Sequence, residues 1–347
     1  ANSSVGRTLR SAEVHLLAAW RQIDTEFTIQ QKALIQELDP SLIFARLRMF
    51  LKYPFFAMLQ SLQNSFSETH RSVSEAIRED LLGIDQRWLE DLQGRRLSEH
   101  FWADRRSLLR DALLGQEARL EQAQQSVDVK IDGQLLITWN LGRLTSTAVL
   151  MRPSNQSAQG LVVFHAGHES ASYSLDDRDP FGTASFLSSM GFDVLTLCMP
   201  RLGYNEDSKV DTMNAHEIFR SWEQEDSSEA LLFYFIGPVL LALDWASHAL
   251  GHRHFAMLGS SGGAWTTLLA SAVEPRISLG ILVPAALPPH LLDHLDWAAL
   301  DWEAQFNPRP VYGICPWICM CVLSVLGGTG SRKGFHIFHH WEKQVFY

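Results

Sequence analysis

A chain of 347 residues with 39 acidic and 29 basic side chains carries a formal charge of -10, the wrong sign for binding a phosphate backbone, so nucleic acid is excluded as the main partner. With 46% hydrophobic and 20% charged residues a disordered chain is excluded too, and the length exceeds one ordinary core, which predicts one large domain with an appendage, or two domains. Four cysteines are too few for a disulfide scaffold, and Cys315, Cys319 and Cys321 make no C-x-x-C pair.

From Ser11 to about Gln125 apolar residues recur at helical spacing, as in Ile77, Leu81, Ile84, Trp88 and Leu92, or Leu108, Ala112, Leu113 and Leu120. Asp39-Pro40 and Tyr53-Pro54 divide this region into separate helices, so residues 1–126 read as a helical N-terminal domain or cap. The basic, aromatic stretch "FARLRMFLKYPFF" suits packing onto the next domain better than lying on a membrane. At Val127 the apolar period falls to two. "VDVKIDGQLLITW" predicts two short strands around Asp132-Gly133, and "LTSTAVLMRP" a third.

Strands and helices then alternate. "GLVVFHAG" predicts a buried strand, "PFGTASFLSSMGF" a helix, "DVLTLCMP" a strand and "EALLFYFIGPVLLALDWASHAL" a helix. "HFAMLGSS" follows as a strand, "GGAWTTLLASAVEPR" as a helix and "ISLGILVPAALP" as a strand. This order predicts an α/β fold over 127–347, a mostly parallel sheet with helices on both faces and an active site at the carboxyl ends of its strands. The apolar run around Gly237, Pro238 and Asp244 is nearly long enough to span a membrane, but its interruptions fit a buried core helix, and no transmembrane segment is expected.

The pentapeptide Gly259 to Gly263 has the form G-x-S-x-G, which by itself recurs by chance. A strand enters it and a helix leaves it, the setting of a nucleophile elbow, in which the glycines permit a sharp turn and Ser261 projects its hydroxyl from the sheet. The helix after Ser261 aims its positive end at the reacting centre. A phosphate-binding turn is the alternative, but no Walker lysine follows and G-x-G-x-x-G is absent. "FHAGHES", at the end of the first parallel strand, places His165, Ala166, Gly167 and His168 where an oxyanion loop belongs. One oxyanion amide is then that of Gly262, and the other that of Ala166 or of His168. The same turn could close the strand or bind metal, though too few ligands gather nearby for a metal site.

Together "DGQLLITW", "VVFHAGHES", "MPRLGYNED" and "MLGSSGGAWTTLLASAVEPRISLGILVPA" resemble the α/β-hydrolase superfamily in its esterase and dienelactone-hydrolase-like branch, over about Val127 to Pro288. The resemblance implies Ser261 as nucleophile, Gly262 as oxyanion donor and hydrolysis of a small-molecule carboxylic ester or related acyl bond, with no metal or organic cofactor. A catalytically inactive binding protein or an acyltransferase on the same fold are the alternatives.

The pattern departs after Ser261, where the chain is short for two more strands carrying an acid and a histidine. His336, His339 and His340 are the late candidates for the base, and Asp293, Asp296 or Glu342 for the acid; His339 with Asp296 is the pair taken forward. The segment from about 309 mixes Cys, Trp and paired His without helical or strand period. Read two bases later, the codons for Trp317 to Cys321 give Asp, Leu or Met, Tyr or His, and Val, and Asp-Leu-Tyr-Val resembles the segment ahead of the family's acid-bearing strand. A frameshift near 309 to 315 is therefore expected, and gene sequencing that finds an intact frame would remove it. The start at Ala1 leaves a removed signal peptide open, the cytoplasm is the default compartment, and oligomeric state is unspecified.

Overall fold

The computed structural model describes residues 99–115, 118–129, 134–154, 157–168, 179–180, 182–205, 216–226, 230–283, 309–326 and 332–336. The helices read over 1–98, with their breaks at Asp39-Pro40 and Tyr53-Pro54, lie outside the described residues.

Helices α1 (Glu99–Leu114) and α2 (Ala118–Gln122) lead into an antiparallel set of β1 (Gln124–Val129), β2 (Leu135–Asn140) and β3 (Thr145–Met151). Val129 pairs with Leu135, so the first two strands are adjacent in the chain and in the sheet, as the period of two in this segment predicts. α1 buries Leu109, Leu113 and Leu114 in the same core as the sheet. The rest of the sheet is β4 (Leu161–His165), β5 (Asp193–Leu197), β6 (Phe255–Ser260), β7 (Ile277–Val283) and β8 (Lys333–His336). The order across the sheet is β1-β2-β3-β5-β4-β6-β7-β8, and every pair from β5 to β8 is parallel.

Both faces of the central strands are covered, which explains why they read as unbroken apolar runs. On β5, Leu195 and Leu197 face the larger core, while Val194 and the following Cys198 face a smaller one with Phe164 of β4 and Ala184. The smaller core is closed by α3 (Thr183–Ser189), whose first turn is held by Asp179: its two carboxylate oxygens accept from the Ala184 and Ser185 amides at 3.0 and 2.7 Å. The larger core takes α4 (Ile218–Glu225), α5 (Phe233–Ala249) and α6 (Gly262–Val273). α5 buries residues on every side, including Pro238, and among the described residues no helix is long and apolar enough to cross a membrane.

The segment in which the sequence shows no period contains α7 (Arg309–Ile314), α8 (Trp317–Val325) and β8. α8 is "WICMCVLSV", apolar at nearly every position, so it offers no polar face from which a period could be read. Cys319, Met320 and Leu323 are buried in the larger core. Cys315 and Cys319 form a disulfide between the end of α7 and α8, a pairing at a spacing of four that a search for C-x-x-C passes over.

Candidate active site

The chain leaves β4 for β5 on one side and then crosses to β6 on the other, so β4 stands where the strand order reverses. In parallel sheets the loops diverge at such a point and leave a crevice beyond the carboxyl ends of the strands. Three chain segments converge there: residues 166 to 168 after β4, residues 198 to 201 after β5, and the turn from β6 into α6.

Ser261 forms that last turn and is exposed, with φ 53° and ψ -122°. Among the described residues the only other non-glycine residue with positive φ is Arg201, at 61°, in the turn after β5. A side chain held in this region costs on the order of 1–3 kcal/mol and persists only where its surroundings impose it. Here the imposition is visible. A Cβ on Gly259 would overlap the Gly263 carbonyl oxygen and Thr267 Oγ1, and one on Gly263 would overlap the His165 carbonyl oxygen. The strand, the turn and the helix thus approach more closely than any side chain at these two positions allows. The Ser261 amide donates to the Val283 carbonyl at 2.9 Å, and the Ser261 carbonyl accepts from Ala264 at 2.8 Å to open α6. The Gly262 amide precedes that first intrahelical bond and stands at the positive end of the helix.

On the β4 side, the Ala166 amide donates to the Leu197 carbonyl at 3.1 Å and prolongs the β4–β5 ladder by one residue. Of the two alternatives in the sequence, Ala166 and His168, the amide of Ala166 is thus engaged in the ladder. His165 is the last residue of β4 rather than part of a loop, and its ring is 2% exposed with Nδ1 donating to the Ala166 carbonyl at 2.9 Å. Burial pushes this histidine down to about 4, against the opposing pull of its backbone hydrogen bond.

The sign follows from the direction of the shift. The folded chain releases the His165 proton more readily than the unfolded chain, so its contribution is complete above about pH 6.5 and is lost as pH falls toward 4. At pH 5 the loss should be about 2 kcal/mol relative to pH 7. Urea midpoints of wild type and His165→Gln at the two pH values measure it: the stability gap should narrow by that amount at pH 5, and an unchanged gap would refute the assignment.

A pair of histidines lies beside the turn. His168 Nε2 is 3.3 Å from His216 Nδ1, and His216 Nε2 is 3.0 Å from the Pro200 carbonyl oxygen. His216 gives no sequence signal: it is a single histidine ahead of α4, brought to the crevice only by the tertiary fold. Among the described residues no three His, Cys, Asp or Glu side chains gather as a metal site would require. The late candidates Asp293, Asp296, His339, His340 and Glu342 lie outside the described residues. His336 ends β8, in register with Leu282 of β7.

No family model and no curated protein matches the chain. Among solved structures it is similar to acetyl xylan esterase 1 from Thermoanaerobacterium sp. JW/SL YS485, at 15% identity over 63% of this chain and 74% of that one, with a TM-score of 0.44. A putative acetyl xylan esterase from Bacteroides fragilis NCTC 9343 aligns at 13% identity over 64% and 68%, with a TM-score of 0.42. The acetyl xylan esterase from Paenibacillus sp. R4 aligns at 14% identity over 66% and 75%, with a TM-score of 0.38. The sheet itself carries the assignment: antiparallel strands at one edge, five parallel strands in the order β5-β4-β6-β7-β8, and helices on both faces give this chain the α/β-hydrolase fold.

Proposed function

We propose that the chain is a serine hydrolase that cleaves a small-molecule carboxylic ester or related acyl bond through an acyl-Ser261 intermediate. The observation that carries this reading is the backbone of Ser261: a serine at φ 53° between a central strand and a helix amino end, at the reversal point of a parallel sheet. Such a turn holds the hydroxyl away from the sheet, where a carbonyl carbon can reach it, and an oxygen becoming negative there meets the Gly262 amide and the helix dipole. Because the Ala166 amide is engaged with the Leu197 carbonyl, His168 supplies the second amide of the oxyanion site in this reading. Esters are the substrate class because the similar solved structures are described as esterases and because acyl transfer is the chemistry that an activated serine and paired amides serve. His339 and Asp296 are the late-chain choice for base and acid.

A fluorophosphonate probe tests the nucleophile directly. Wild type should be labelled and Ser261→Ala should not, with hydrolysis of p-nitrophenyl acetate falling by about a thousandfold or more and the denaturation midpoint unchanged. Labelling that survives Ser261→Ala would refute the reading.

A further inference from the structure

The hydrogen bonds of the histidine pair fix where its protons sit. A carbonyl oxygen only accepts, so His216 Nε2 carries a hydrogen toward Pro200, and in the neutral ring Nδ1 is then the acceptor. His168 must donate to it from Nε2, which leaves the lone pair of His168 on Nδ1. That nitrogen is the one turned to the serine turn: a Cβ placed on Gly262 would lie 3.3 Å from His168 Nδ1 and 3.4 Å from its Cε1. No other arrangement of the neutral pair makes both bonds.

The surroundings hold this arrangement in place. His216 is buried edge-on against Phe235, with ring centroids 5.2 Å apart, and tilted against Phe219 at 5.9 Å. The turn that presents the Pro200 carbonyl is fixed by Asn205, whose Nδ2 donates to the Cys198 and Met199 carbonyls at 3.1 and 3.3 Å while its Oδ1 accepts from the Thr147 amide of β3 at 2.8 Å. Met199 Cε is the other neighbour of Gly262, 2.8 Å from where its Cβ would be. The antiparallel edge of the sheet is thereby linked through one turn and two imidazoles to the residue after Ser261.

We infer that His168 Nδ1 is the base that takes the proton from Ser261, and that His216, anchored on the Pro200 carbonyl, is a positioning residue that sets the tautomer of His168. The inference rests on the reading of Ser261 as nucleophile, and it supplies from the described site the base that the sequence seeks at His339. In acylation the Ser261 hydroxyl proton passes to Nδ1 as Oγ bonds to the ester carbonyl carbon and the π electrons move to the carbonyl oxygen. When the carbonyl re-forms, the bond to the alcohol oxygen breaks and the alcohol leaves with the proton from Nδ1. Water then repeats both steps on the acyl-serine and releases the acid. A backbone carbonyl keeps the imidazole in the correct tautomer, as the carboxylate of a triad does, but it offers a dipole rather than a full negative charge to the imidazolium. A slow hydrolase is the expected result.

The test uses the full chain and the rate of fluorophosphonate labelling, with Ser261→Ala as the blank. His168→Ala should slow labelling by about a hundredfold or more, and added imidazole should restore part of that rate. His168→Gln, which keeps the volume and lacks a basic nitrogen, should be as slow and should not depend on the Ala variant folding. His216→Phe should slow labelling about tenfold or more, while His216→Gln, which can accept from His168 and donate to Pro200, should recover part of it. Wild-type labelling rates in both His168 variants overturn the inference and leave the Ser261 reading standing. Slow labelling that neither imidazole nor His216→Gln relieves assigns the loss to packing and also overturns it. Labelling that does not need Ser261 overturns both readings.

Discussion

Gly263→Ala should destabilise the fold by about 3 kcal/mol or more and slow any reaction of Ser261 by about a hundredfold. The added methyl would overlap the His165 carbonyl oxygen and sit 2.8 Å from the His165 carbonyl carbon and 3.1 Å from that of Ala166. All three are backbone atoms, so no side chain can rotate away to make room. Relief requires α6 to withdraw from the end of β4, which moves Ser261 relative to His168 and the loop that precedes it. Gly313→Ala is the control. It lies in α7, is exposed, and its added methyl would meet nothing within 4 Å, so it should be neutral or should stabilise by up to about 1 kcal/mol through helix propensity. Urea denaturation separates the two cases. A Gly263→Ala midpoint within about 1 kcal/mol of wild type would show that the approach of α6 to β4 does not constrain the turn.

The same residues show where sequence reasoning succeeds and where it stops. Gly259 and Gly263 were visible as a spacing around Ser261, because a sharp strand-to-helix turn needs glycine whatever surrounds it. What presses on them, the His165 carbonyl and Thr267, comes from another strand and from the next helical turn. Most of the alternation of strands and helices from Val127 to Val283, the eight-residue α4 excepted, was legible because the strands have a length that fits only a strand and α5, buried on every side, is too long to be one. α8 was not, because a helix that is apolar at nearly every position has no side that differs from another. Ala166 and His168 were equivalent in the sequence, since a ladder bond to Leu197 distinguishes them and Leu197 lies on a different strand. His216 illustrates the limit. It stands 48 positions from His168 in the chain, and only the folding of the α4 segment against the turn after β5 brings the rings within 5.0 Å.

Arg332→Met should cost about 3 to 5 kcal/mol, one of the larger losses available to a single substitution away from the turn. Arg332 immediately precedes β8, and its buried guanidinium donates to five backbone carbonyls. Nη2 reaches Ser271 at 2.6 Å and Glu274 at 3.1 Å, at the carboxyl end of α6; Nε reaches Ile277 at 2.9 Å, where β7 begins; Nη1 reaches Leu323 at 2.9 Å and Leu326 at 2.7 Å, at the end of α8. The last carbonyls of a helix have no intrahelical donor and carry the negative end of its dipole, so a cation with a planar fork of donors suits the place where two helices end together. Burial and the neighbouring Arg106 push the Arg332 guanidinium down to about 10, with Glu274 opposing them, and it remains charged at neutral pH. Arg106 also donates to Leu323 and Leu326, at 3.1 and 2.6 Å, and the Ile277 amide donates to Glu274 at 3.2 Å, so removing Arg332 strands chiefly the Ser271 and Ile277 carbonyls. Two buried acceptors without donors, at about 1 to 3 kcal/mol each and partly relaxed, together with the second donor lost at Glu274, give the stated range. Lysine at 332 should recover less than half of it, because one ammonium cannot span acceptors on two helices and a strand. Arg106→Met, which uniquely serves only the Ala272 carbonyl, should cost about 1 to 2 kcal/mol. Denaturation midpoints for the three variants rank these effects, and full recovery by lysine would show that charge, not the fork of donors, is what the two helix ends require. The consequence reaches the site, since α6 is the helix that begins at Ser261: its amino end is set by the contact of Gly263 with β4, its carboxyl end by Arg332, and the loss of either should be felt at the hydroxyl between them.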